Sequence, residues 1–124
     1  MIKLGIKKIE YRSDKNDMWT ELKTVTLSST LKEKLTEEAA GKYSTVTVEA
    51  EIRNSSKNKD IILQYLSKWY FHYRITDMNG RKYLIGNDEY HAIFNYSRSF
   101  GDLNINGYDI SIEYKSPEQL TAIE

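Results

Sequence analysis

Glu49 and Glu51 stand two residues apart in a run with strand alternation, so both carboxylates share one face, about 7 Å apart by strand rise. Paired carboxylates can run glycoside hydrolysis, one as acid and the other as nucleophile or base. Thr45 and Thr47 share that face, however, and nothing nearby suggests a closed cleft or a raised pKa, so a solvated outer face explains the pair better. His72 and His91 are the only histidines, and neither comes with a His-x-x-x-His spacing or a carboxylate cluster that would suit a metal. Cysteine is absent, which rules out disulfides, thiolate catalysis and cysteine-based zinc sites. No serine sits in a Gly-x-Ser-x-Gly elbow. Gly80, Gly86, Gly101 and Gly107 read as isolated turn glycines and do not form a phosphate loop. The expectation is therefore a protein that is not an enzyme, with no catalytic, cofactor-binding or metal-binding residues and no cofactor.

Two binding chemistries stay open at this level. Tyr70, Tyr90 and Tyr96 could form a stacking platform for a sugar or for single-stranded nucleic acid. Charge argues against the second. Lys and Arg number 18, Asp and Glu 18, and the formal net charge is zero, whereas nucleic-acid binders carry a basic excess that neutralises phosphate.

The elements that would position these residues are mostly strands. Trp69, Phe71, Tyr73 and Ile75 alternate with Tyr70, His72, Arg74 and Thr76, the period of a strand with one face in a core. Asp77-Met78-Asn79-Gly80 supplies turn chemistry, Arg81 to Ile85 runs back, and Gly86-Asn87-Asp88 turns again. Val46, Val48, Ala50 and Ile52 face inward on another strand, and Tyr108, Ile110, Ile112 and Tyr114 on the last, which Pro117 ends. Residues 2–11 form a first strand, with Lys7-Lys8 breaking the alternation as a bulge would. Residues 19–31 read as a second extended segment, and 92–97 as a further strand.

Helical signals are few. Thr30 to Glu33 fits a capping box, and Leu31, Leu35 and Ala39 recur at helical spacing up to Gly41, so residues 31–40 read as a surface helix, with a bent strand as the alternative. Asp60 reads as the N-cap of a turn or two bearing Ile61, Ile62, Tyr65 and Leu66. Residues 54–59 and 97–107 read as polar loops. The expected fold is mainly β: a β-sandwich or small barrel of about seven antiparallel strands with one or two short helices. Residues 1–116 make a single domain and 117–124 a loose C-terminal tail, or an arm that orders on a partner.

The N-terminus, MIKLGIKKIEYRSDK, lacks the apolar core of a secretory signal, and no apolar run approaches the roughly 20 residues that span a bilayer. Ten tyrosines suit half-buried strand surfaces and also contact surfaces.

The second half has a characteristic order: an aromatic strand, Asp77-x-Asn79-Gly80, Arg81-Lys82-Tyr83-Leu84-Ile85-Gly86, Phe94-x-Tyr96, then Asn106-Gly107-Tyr108-x-Ile110-x-Ile112. Over residues 69–114 this resembles small β-rich structural proteins of tailed phages and prophages of Bacteroidetes-type bacteria. The resemblance implies a non-enzymatic virion protein of the neck (head–tail junction) or tail, made in the host cytoplasm. Its partners would be other phage structural proteins and copies of itself, assembled as a symmetric ring, with no membrane and no small-molecule ligand. The alternatives are a carbohydrate-binding β-sandwich module and an OB-like single-strand binder.

Overall fold

The computed structural model describes residues 2–14, 16–24, 28–39, 41–53, 59–100 and 105–123. Among these residues, nine strands and one helix follow in the order β1 (Ile2–Arg12), β2 (Thr20–Leu22), β3 (Thr30–Glu38), β4 (Gly41–Arg53), α1 (Lys59–Lys68), β5 (His72–Asp77), β6 (Lys82–Ile85), β7 (Ala92–Phe100), β8 (Ile105–Ser116) and β9 (Ala122–Ile123). The protein is mainly β, as its alternating runs predict. All ladders are antiparallel, and the sheet runs β7-β8-β4-β3-β1-β5-β6-β9 without closing into a barrel. Of the two architectures expected, the sandwich-like one is the one formed.

β1 joins the two halves of this sheet. Ile2 to Gly5 pair with β3, while Ile6 to Arg12 pair with β5, with a register shift between Ile6 and Lys8. The break in alternation at Lys7-Lys8 is thus a true irregularity, and it lies where the strand passes from one half-sheet to the other. β2 sits on the same edge of β1 as β3, opposite Ile9 to Tyr11. One long edge is therefore shared by two short pieces of chain. Ile6 donates its N–H to the Ser29 carbonyl at 3.0 Å, closing the gap between them.

The inward side chains of both halves form one core. Leu31, Val48, Ile112 and Phe94 make a continuous row across β3, β4, β8 and β7, and all four are buried. Ile9, Tyr73, Ile75 and Ile85 supply the other half, and Tyr73 stacks nearly parallel on Phe94 at 6.2 Å between ring centres. α1 adds Leu63 and Leu66, both fully buried, beside β7.

Several elements differ from the sequence reading. Of the two readings of residues 31–40, helix first and strand second, the strand is the one formed: 30–38 make a nine-residue strand paired along its whole length with β4. Helical spacing and a capping motif are weak local preferences, and a full ladder on one side with burial of Leu31 overrides them. Gly41, with φ of +129°, then lets the chain reverse between Glu38 and Gly41. Trp69 was placed on the inward face of a strand. It lies just past α1 and is 57% exposed, because β5 begins only at His72. Phe71, Tyr73 and Ile75 do point inward.

α1 begins at Lys59, so Asp60 is inside the first turn instead of capping it, and Ile61 and Tyr65 face solvent. The expected loop at 97–107 is mostly strand: β7 runs to Phe100 and β8 starts at Ile105, leaving 101–104 outside the described residues. Gly107 accordingly lies within β8, where a Cβ would meet the Ile52 carbonyl oxygen at 2.5 Å. Gly101, and residues 54–58 of the other expected loop, fall outside the described residues.

The C-terminal segment is, in the sequence reading, a loose tail or an arm that orders on a partner. It instead crosses from β8 to the far half-sheet, where Ala122 and Ile123 pair with Tyr83 and Lys82. Glu33 Oε2 accepts hydrogen bonds from both the Leu120 N–H (2.7 Å) and the Ser44 hydroxyl (2.8 Å), and Leu120 packs on the core.

Candidate functional site

The residues with potential chemistry are scattered. Glu49 and Glu51 stand on the outer face of β4, exposed, opposite Ser111 and Asp109 of β8. With Ser28, Asn95, Ser97 and Asp109 they border a shallow groove of about 410 Å3. His72 and His91 are not brought together. His72 is half-buried on the outer face of β5, with Nε2 3.3 Å from Asp88, whereas His91 is exposed and stacks on Tyr70 at 4.0 Å. Among the described residues, no three His, Cys, Asp or Glu side chains converge as a metal site would require.

The three-tyrosine platform does not form. Tyr70 faces solvent, while Tyr90 and Tyr96 are partly buried against the core, Tyr96 edge-on to Tyr108 at 6.1 Å. Of the three, Tyr70 is the exposed one, so they do not together present one open aromatic surface.

Sequence reading passed over a charged cluster on the outer face of β1 and β5. Glu10 lies opposite Arg74 in the ladder, and the guanidinium donates to both carboxylate oxygens, Nε to Oε1 and Nη2 to Oε2, each at 2.9 Å. Lys8 adds an ion pair at 3.7 Å. The Arg74 hydrogen bonds hold the Glu10 carboxyl below the usual glutamate range, against an opposing push from burial, with Lys8 and Lys82 helping. Trp19 covers this cluster: the Arg12 and Arg74 guanidiniums lie over its ring at 4.1 and 4.7 Å. Trp19 thus pins the segment after β1 onto the sheet by cation–π contact. An indole already engaged by two cations is not free to stack on a base.

The second feature is apolar and exposed. Ile61, Tyr65 and Trp69 recur every four residues and form one stripe on α1, at 65%, 53% and 57% exposure. The Trp69 N–H donates to the Tyr65 carbonyl at 3.3 Å, so Trp69 keeps the helical pitch one residue past the helix. Tyr70, 62% exposed, follows Trp69 in the chain and stacks on His91. Tyr65 is held from beneath by an edge-on contact with Phe71 at 5.1 Å, and the Lys68 ammonium lies 5.7 Å from the Trp69 ring centre.

α1 therefore has two apolar faces. Leu63 and Leu66 enter the core, and the Ile61–Tyr65–Trp69 stripe does not. The spacing of the second stripe is visible in the sequence. Which stripe the core takes is not.

No family model matches the sequence, and no curated protein or solved structure matches it significantly. No described helix is long and apolar enough to cross a membrane.

Proposed function

We propose that this protein is a non-enzymatic assembly subunit that works by holding neighbouring proteins against its surface. The observation that supports this is the exposed stripe of Ile61, Tyr65 and Trp69 with Tyr70 beside it. Large apolar side chains left together in water on a small domain mark contact surfaces, and Tyr and Trp are the residue types enriched there. The motif order of residues 69–114 supports a particular setting, the neck or tail of a tailed phage, where the subunit would contact copies of itself and other structural proteins.

Co-purification with the products of the flanking genes tests the reading, followed by size-exclusion chromatography with light scattering. The wild-type protein is expected to form an assembly with itself or with one of those products. Trp69→Ser, which removes an exposed ring without touching the core, is expected to weaken that assembly at least tenfold. A strictly monomeric protein that binds none of the flanking-gene products overturns the proposal.

A further inference from the structure

We infer that the outer face of β1, β5 and β6 docks, by opposite charge, on the outer face of β4 and β8 of a second copy of this chain. The inference rests on the assembly reading above and names one partner and the two surfaces that meet.

The first face carries surplus positive charge. Its ladders set Lys8, Thr76 and Lys82 in one row, Glu10 and Arg74 in the next, and Arg12 and His72 in the third. The carboxylates among them are few and mostly engaged. Glu10 is held by Arg74, Asp88 lies on His72 at 3.3 Å, and Glu21 stands opposite Glu10 on β2. Among the described residues Arg12 and Lys82 form no ion pair, and Lys8 reaches Glu10 at 3.7 Å.

The second face carries unrelieved negative charge. Glu51 stands directly opposite Asp109 in the β4–β8 ladder, with Glu49 two residues away on the same side. Like charges set opposite each other in a ladder destabilise it. No ion pair among the described residues offsets the repulsion. The cations that share this outer face, Lys32, Lys34, Arg53 and Lys115, do not border the groove of about 410 Å3 that the three carboxylates line.

The fold keeps the two faces apart within one copy. Tyr73 of β5 stacks on Phe94 of β7 inside the core, so the outer faces of these half-sheets point away from each other. A second copy brings them together. Lys8 and Lys82 are two strand spacings apart, about 10 Å, and Glu51 and Asp109 one spacing, about 5 Å, so the two lysine stems can close on the acidic pair from either side. Each copy presents one face of each kind. The contact is therefore heterologous and repeats from copy to copy, as a ring or filament requires. Contacts between exposed charges are weak and are screened by salt.

Sedimentation at about 20 mM salt is expected to show wild-type assemblies growing as the concentration rises to about 100 µM, a range where weak contacts populate. In about 0.5 M salt the same protein is expected to be monomeric. Glu51→Lys turns the like-charge pair into an opposite one. It is expected to lose assembly at low salt while melting at or above the wild-type temperature. Lys82→Glu, at an exposed position, is expected to lose assembly as well. An equimolar mixture of the two variants is expected to recover the contact, since the intact basic face of one meets the intact acidic face of the other.

Monomeric wild-type protein at low salt overturns the inference, as does assembly that survives Glu51→Lys or a mixture that stays monomeric. If the wild type is monomeric yet binds a flanking-gene product, this contact fails and the assembly reading stands. If it neither self-associates nor binds such a product, both fail.

Discussion

Arg74 closes a two-bond grip on Glu10 across the β1–β5 ladder, with both hydrogen bonds at 2.9 Å and the glutamate almost wholly buried. These two residues are 64 positions apart in the chain. Their pairing fixes the register between the strand that joins the two half-sheets and its neighbour.

The pair makes stability depend on pH in a definite direction. Because the folded Glu10 carboxyl titrates below the usual glutamate value, the unfolded state binds its proton first as pH falls. The stabilisation is therefore complete above that value and is lost as pH drops through the lower, folded one. Glu10→Gln is expected to lower the melting temperature at neutral pH, with the gap to wild type narrowing as the pH falls below the usual glutamate range. Arg74→Ala, which leaves a buried carboxylate without its main partner, is expected to cost about 2 kcal/mol in urea unfolding. A gap that stays constant on acidification would contradict this account.

Tyr73 offers the opposite case. Its ring is fully buried against Phe94, and its hydroxyl has no hydrogen-bond partner. Burial pushes its ionisation well above the usual tyrosine value, with Tyr11 adding to the effect. The unfolded chain therefore loses the phenolic proton first, and stability falls as pH rises above about 10. Tyr73→Phe removes an unsatisfied polar group while keeping the ring. It is expected to leave stability unchanged or to raise it by up to about 1 kcal/mol, and to flatten the alkaline decline. A loss of more than that in a thermal melt would mean the hydroxyl has a partner after all.

The C-terminal segment provides a third test. Deleting residues 117–124 removes the Leu120 N–H from Glu33, takes Leu120 off the core and frees the Tyr83–Lys82 edge. Truncation is expected to destabilise the domain by about 2 kcal/mol, from one charge-assisted hydrogen bond and one partly buried leucine. A loose tail would cost nothing, and an unchanged melting temperature would restore that picture.

Much of the fold is legible in the sequence wherever one face of a strand is buried. β4 and β8 announce themselves because Val46, Val48, Ala50 and Ile52 alternate with Thr and Glu, and Tyr108, Ile110, Ile112 and Tyr114 alternate with polar residues. The Asp77–Gly80 turn is equally plain. Asp77 Oδ1 accepts the Asn79 and Arg81 N–H groups, each at 2.9 Å, and Gly80 takes a φ of +86°. β3 is not legible because only Leu31 of its side chains is buried, so no period of two shows. The Glu10–Arg74–Trp19 cluster is invisible for another reason: each member looks like an ordinary strand or loop residue until the ladder brings them together.

α1 divides the two kinds of knowledge most clearly. Its sequence alone determines that it carries apolar residues on more than one side, since Ile61, Ile62, Leu63, Tyr65, Leu66 and Trp69 cannot share a single face of a helix with 3.6 residues per turn. Periodicity cannot say which set is buried, because burial depends on what stands opposite. The tertiary structure decides it. Leu63 and Leu66 join the core beside β7, and that choice turns Ile61, Tyr65 and Trp69 into the water.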